Sequence, residues 1–410
     1  MFRKAVALSL LSVCAIAGAR KEKDAAFREI DSIVKTLSEI TGLNEKHAVP
    51  YGRMSKAELR KFLNKRIKKT LKPAEIHADE LSLKMFGLVP QDFDLKKSTV
   101  DLLTEQAAAF YDYDEKKLFM LQDSSFSAET TTLAHELSHA LADQYYDLGK
   151  FMEDAPSNDD ENLAHTAVVE GQASWLMIAY EMKVAGQKPV PTPEMVKSVA
   201  DTSEASMADY PVLKNSPLYI QESLLFPYSE GTAFFDAVFK KDGKAAFSEV
   251  FTDPPADSSQ IMHPAKYFAH EKPALPDLPK LGENLKQKEV TDGSMGEFDH
   301  SILLRQYLGD AKAAQLSGHL RGGQFQIVLI AKSKRPTLIY ASRWDSPSKA
   351  AEFFTAYKKV LHSKWKHMDE TANTKDTLKG AGDSGYFETH LNGDRVSSVE
   401  GMQTPMNITY

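Results

Sequence analysis

Two histidines four positions apart, His135 and His139, bracket a glutamate, Glu136, in the stretch Leu133-Ala134-His135-Glu136-Leu137-Ser138-His139-Ala140-Leu141. Residues i and i+4 of an α-helix share a face one turn apart, so both imidazoles can reach one ion while Glu136 lies about 100° round the axis. These residue types at this spacing suit metal-assisted hydrolysis: two neutral nitrogens hold a divalent ion, and the carboxylate takes a proton from the water that the ion acidifies. The spacing also arises by chance, so its context decides. Ser127 and Glu129 are amino-terminal helix signals, Leu133, Leu137 and Leu141 recur at helical spacing, and Gly149 marks an end, which places the motif on a helix.

Such an ion needs a third ligand. The downstream candidates are Asp143, Asp147, Asp154, Asp159, Asp160, His165 and Glu170. Asp143 lies one turn further along the same helix, too far along the axis to complete a tetrahedron, and its better role is to support a ligating imidazole from behind. Glu170 is the single carboxylate of the apolar helical run Ala167-Val168-Val169-Glu170-Gly171-Gln172-Ala173-Ser174. A carboxylate there is costly unless it is paired or binds metal. Gly171 beside it would let two helices approach closely.

With Glu170-Gly171 placed 31 positions after His139, the pattern resembles the gluzincins, zinc metallopeptidases whose third ligand is a glutamate on the next long helix. His135-Glu136-Leu137, His139-Ala140-Leu141, Asp143-Gln144, Asp147-Leu148 and Val168-Val169-Glu170-Gly171 look like a group of secreted bacterial and archaeal gluzincin-like proteins. The resemblance implies His135, His139 and Glu170 as ligands of Zn2+, Glu136 as general base, and a peptide or protein substrate. Phe226-Pro227-Tyr228-Ser229-Glu230-Gly231 and Ile261-Met262-His263-Pro264-Ala265-Lys266-Tyr267 resemble recurring segments of the same group. Zinc peptidases place a Tyr or His opposite the base to hold the developing oxyanion, and Tyr228 and His263 are the candidates.

The elements that must position these groups follow from the rest of the chain. Its 410 residues are 42% hydrophobic and 26% charged with net charge -7, enough for two or three domains and too acidic for nucleic acid as main partner. The basic run Arg60 to Lys72 carries Leu59, Phe62, Leu63, Ile67 and Leu71 at helical spacing and reads as a solvated helix face. Residues 1–19 read as a secretory signal peptide: Arg3 and Lys4, an apolar run from Ala5 to Ile16, then Ala17-Gly18-Ala19. A lipoprotein anchor at Cys14, the only cysteine, is disfavoured by Val13 before it. No later stretch is apolar for long enough to span a membrane, so the expected location is secreted or periplasmic.

From 20 to 95 the pattern reads as helical throughout. One helix holds Ile30, Ile33, Val34, Leu37 and Ile40 and closes at Gly42, a second opens on a Ser55–Glu58 capping box, and a third runs from Pro73 to Gly87. Whether this region packs on the catalytic part or separates from it is open. Ala109-Phe110-Tyr111 and Leu118-Phe119-Met120-Leu121 read as a strand pair, and the strand before the active-site helix is expected to offer its edge to an extended peptide. Strands at 325–331 and 337–342, a helix capped by Ser346-Pro347 and a hairpin at Asn392-Gly393 make a carboxy-terminal module. His300, His319, His362, His367 and His390 are scattered there and read as surface residues.

The expected architecture is thus α+β and mainly α, with a helical region at 20–95, a zincin-like metallopeptidase domain at 96–290 and a small α+β module at 291–410. The expected function is a secreted zinc peptidase. The alternatives are a binding or scaffold protein on a peptidase fold, and a zinc hydrolase of a non-peptide bond.

Overall fold

The computed structural model describes residues 23–121, 126–153, 159–206, 210–282, 285–330 and 335–410. Residues 1–19, expected to be a signal peptide and containing Cys14, and Asp154 lie outside them. The chain is mixed α+β and mainly helical, with 56% helix and 21% strand. Helices of eight residues or more are α1 Lys23–Thr41, α2 Lys56–Thr70, α3 Pro73–Phe86, α4 Leu95–Gln106, α5 Phe126–Tyr146, α6 Asp159–Val184, α7 Pro193–Ser206, α8 Leu218–Asp242, α9 Glu297–Leu308 and α10 Pro347–Lys364. The strands are β1 Tyr51–Met54, β2 Ala109–Asp112, β3 Lys117–Leu121, β4 Lys280–Leu281, β5 Gln287–Ser294, β6 Leu320–Ile330, β7 Pro336–Trp344, β8 Met368–Asn373, β9 Thr377–Gly382, β10 Gly385–Asn392, β11 Arg395–Met402 and β12 Ile408–Thr409.

Local signals set most of the helix ends. Ser55 accepts from the Glu58 amide while Glu58 reaches back to the Ser55 amide, closing the capping box that starts α2. Gly42 at φ 82° and Gly87 at φ 78° end α1 and α3 in the left-handed region that glycine enters without strain. Helix α5 stops before Asp147, at φ 45°, short of the expected Gly149, because a short-chain aspartate also tolerates that region.

The 20–95 region is not helical throughout. Strand β1 lies between α1 and α2 and pairs in parallel with β3, which pairs antiparallel with β2, so the small sheet runs β1-β3-β2. Alternation along these strands sorts side chains onto two faces. Phe110, Phe119 and Leu121 pack with Leu59, Leu63 and Leu103 of α2 and α4, whereas Ala109, Tyr111, Leu118 and Met120 join the main core with Leu133 and Leu137 of α5. Ile33, Val34 and Leu37 of α1 are fully buried in that same core. The basic run is mostly exposed as expected, but Arg66 is buried and paired with Asp112 at the end of β2.

The carboxy-terminal region is a seven-stranded antiparallel sheet, ordered β5-β6-β7-β11-β10-β9-β8, with α9 and α10 on one face. Ile327, Leu338, Tyr340 and Val396 face the main core. Val328, Ile339 and Val399 make a smaller cluster on the other face, with Leu281 of β4 and Ile408 of β12. His300 departs from the surface reading. It is fully buried, between the Gly296 carbonyl at 2.9 Å and the Tyr340 hydroxyl at 2.5 Å. No helix among the described residues is long and apolar enough to cross a membrane.

Candidate metal centre

Helices α5 and α6 bring the three donors together. His135 and His139 sit one turn apart on α5, Glu170 comes from the middle of α6, and each is at most 2% exposed. His135 Nε2 lies 2.9 Å from Glu170 Oε2 and 3.1 Å from His139 Nε2, and His139 Nε2 lies 3.6 Å from the same Glu170 oxygen. Donors about 2.0–2.1 Å from a tetrahedral ion stand about 3.3 Å apart, and the three spacings bracket that value. Protons satisfy this triangle poorly: His135 Nε2 cannot both donate to Glu170 and accept from His139, while one shared cation satisfies all three contacts. Among the described residues this is the cluster able to hold a metal ion.

The local electrostatics agree with such a donor set. Burial lowers the His135 pKa, which favours the neutral form that a ligand must adopt. For Glu170, burial pushes the pKa up, but His139 and His135 outweigh it and hold the carboxyl down to about 2. A close crossing of helices delivers Glu170. A Cβ built on Gly171 would fall inside the backbone carbonyl of Gly231 on α8, and one on Gly231 inside the Ala167 carbonyl. Gly171 thus has the close-approach role expected of it, and the same crossing carries Tyr228 to the site.

Glu136 is also buried and belongs to no ligand pair. Its Oε2 accepts the Tyr111 backbone N–H at 2.8 Å, so edge strand β2 fixes the carboxylate beside the donors. The strand just before α5 is β3, which is central, so the sheet edge at the site belongs to β2. Tyr228 stacks on His135 with ring centroids 6.0 Å apart, and its hydroxyl is hydrogen-bonded to Glu170.

The other expected residues are placed elsewhere. His263 Nε2 is 2.7 Å from Glu297 Oε1, in a cluster with Lys266. Asp143 is buried, but its carboxylate takes the Tyr111 hydroxyl, Lys116 Nζ and the Leu148 amide, each at 2.8 Å, and reaches neither imidazole. Asp147 pairs with Lys116 at 3.0 Å. The Asp160 carboxylate lies against Gly296, and His165 stacks on Phe151 at 4.5 Å. Asp159 lines a small cavity with Asp79 and Asp299.

One site residue was not expected. Tyr113, in the β2–β3 turn, is 8% exposed and stands edge-on to His139 at 6.4 Å. Burial raises its pKa well above the ordinary tyrosine value, and the carboxylates of Glu170 and Glu136 raise it further. The only sequence signal was an aromatic residue in a turn-prone segment, which does not say where the ring will lie.

A family model described as a domain of unknown function (DUF8575) matches residues 283–407. The match covers the seven-stranded sheet with α9 and α10, and stops short of the His135, His139 and Glu170 cluster on its amino-terminal side. No curated protein matches the chain, and no solved structure does.

Proposed function

We propose that this chain is a zinc-dependent peptidase with a zincin-like core, in which His135, His139 and Glu170 hold the ion and Glu136 is the general base. The observation that carries the reading is a three-donor set with a further carboxylate held just off it. Structural zinc sites close with four protein ligands, whereas catalytic sites use three and keep a position open. A bound ion supplies Lewis-acid polarisation of a carbonyl and makes water more acidic. Glu136, fixed through Oε2 by the Tyr111 amide, accepts the proton as water attacks and returns it to the leaving amine. Tyr228 donates to the developing oxyanion, a position worth a few kcal/mol. It is preferred to His263 because its ring stacks on the ligand His135, whereas His263 lies in the separate cluster with Glu297 and Lys266. An extended peptide added to the β2 edge would be held by main-chain hydrogen bonds, largely regardless of its side chains.

A second reading, a metal-holding scaffold without hydrolysis, draws on burial. Glu136 and the three donors are at most 2% exposed, and all four residues of β2 are buried. The variant Glu136→Gln separates the two. It should keep zinc and thermal stability while hydrolysis of unfolded protein falls by at least about a hundredfold. Equal inertness of wild type and variant across a broad peptide panel favours the scaffold.

A further inference from the structure

We infer that Tyr113 is a hydrogen-bond donor to whatever oxygen ligand occupies the open position of the metal centre. Its hydroxyl is buried and finds no hydrogen-bond partner among the described residues, in a residue that is 8% exposed. A buried hydroxyl is disfavoured unless it is hydrogen-bonded, so the native arrangement makes sense when a bound group completes it. What surrounds the hydroxyl indicates which group. The carboxylates of Glu170, Glu136 and Asp143 are near it, with Tyr228 beside them. A phenol, whose ordinary pKa is about 10, keeps its proton at neutral pH, so the hydroxyl can donate.

The turn that carries Tyr113 is pinned on both sides, so the ring does not drift. Before it, Asp112 is paired with buried Arg66 and accepts the Glu115 amide at 2.7 Å. After it, Lys116 adopts φ 51° and its Nζ binds Asp143 at 2.8 Å and Asp147 at 3.0 Å. Tyr111 packs edge-on against the Tyr113 ring at 5.8 Å, and His139 meets it at 6.4 Å. A rigid phenol edge-on to His139, its hydroxyl buried and unsatisfied among the described residues, can touch a bound group without displacing a donor.

This inference rests on the proposed metal centre, and its test reads binding, not turnover. Full-length wild type and Tyr113→Phe are loaded with zinc, and the affinity of acetohydroxamate, an oxygen-donor probe for the open position, is measured by calorimetry. Tyr113→Phe should keep zinc affinity within about twofold and weaken acetohydroxamate about tenfold, the loss of one hydrogen bond to a charged group. Metal-free Tyr113→Phe should be at least as stable as metal-free wild type, because the variant removes a buried hydroxyl without a partner. Unchanged acetohydroxamate affinity overturns the inference. So does a zinc affinity that falls tenfold or more, which would make Tyr113 a ligand, and so does a lower melting temperature of the metal-free variant, which would give the hydroxyl a structural partner. Wild type that binds zinc and acetohydroxamate yet cleaves no peptide refutes the peptidase reading and leaves Tyr113 in place. A chain that loads no metal overturns both.

Discussion

Glu170 is a fully buried carboxylate in a helix whose neighbours Ala167, Val168, Val169 and Ala173 are apolar and buried with it. Such a group stays ionised only while positive charge faces it, and the two imidazole nitrogens at 2.9 and 3.6 Å mark where that charge sits. Glu170→Gln should therefore lose most of the zinc that the wild type carries at close to one ion per chain, since an amide is a poorer ligand than a carboxylate. Metal analysis after gel filtration checks this, and full retention would remove Glu170 from the centre. Asp143 works at one remove. It holds the hydroxyl of Tyr111, whose amide holds Glu136, so the path from Asp143 runs to the base and not to a ligand. Asp143→Ala should lower stability by about 2–3 kcal/mol through the donors left unpaired. It should leave zinc stoichiometry unchanged and lower kcat more than it raises KM. Loss of zinc at unchanged stability would restore a direct role at an imidazole.

Among the elements, the crossing of α6 and α8 is the most exacting. Side chains at Gly171 and Gly231 would each meet backbone, which cannot give way as a flexible side chain can. Gly171→Ala should push α8 outward, cost roughly 3 kcal/mol as a severe overpacking, and lower metal affinity by moving Glu170. A variant with wild-type melting temperature and wild-type zinc content would show the crossing to be looser than drawn. Elements of this kind were legible in the sequence because their signals are local. The His135–His139 spacing, the Ser55–Glu58 box, Gly42 and Gly87 as helix ends, and the Asn392-Gly393 hairpin each act within a few residues. What was not legible depends on partners far along the chain. Strand β1 has four residues, too few for a period, and exists because β3 pairs with it from 67 positions away, Tyr51 opposite Leu118. Tyr113 reaches the site only because α5 packs beneath the hairpin. His300 is buried by Tyr340 and Phe353, which come from β7 and α10.

Over the whole molecule, the carboxy-terminal region is packed against the helix that carries Tyr228. Phe298 of α9 meets Phe226 at 4.9 Å and Tyr219 at 5.9 Å, Tyr219 donates to Asp299 at 3.0 Å, and Arg305 pairs with Glu222 at 2.7 Å. Lys364 of α10 reaches the Met85 carbonyl at the end of α3. The same interior contains histidines that make stability depend on pH. Burial lowers the pKa of His300 and of His165 below the ordinary histidine value of 6.5. Above about pH 6.5 both are neutral whether the chain is folded or not, and they add no pH dependence. As pH falls below that value, the unfolded chain takes up protons that the folded chain does not, so stability falls with pH until the folded groups titrate too. Each such group contributes a slope of at most about 1.4 kcal/mol per pH unit. Urea unfolding of the metal-free chain at pH 7.5, 6.5 and 5.5 should therefore show stability falling on the acid side. His300→Gln, which cannot titrate, should be less stable at pH 7.5 and should lose less between pH 6.5 and 5.5 than wild type does. Identical slopes for the two chains would mean that His300 takes up its proton in the fold as readily as out of it, and that burial does not keep it neutral.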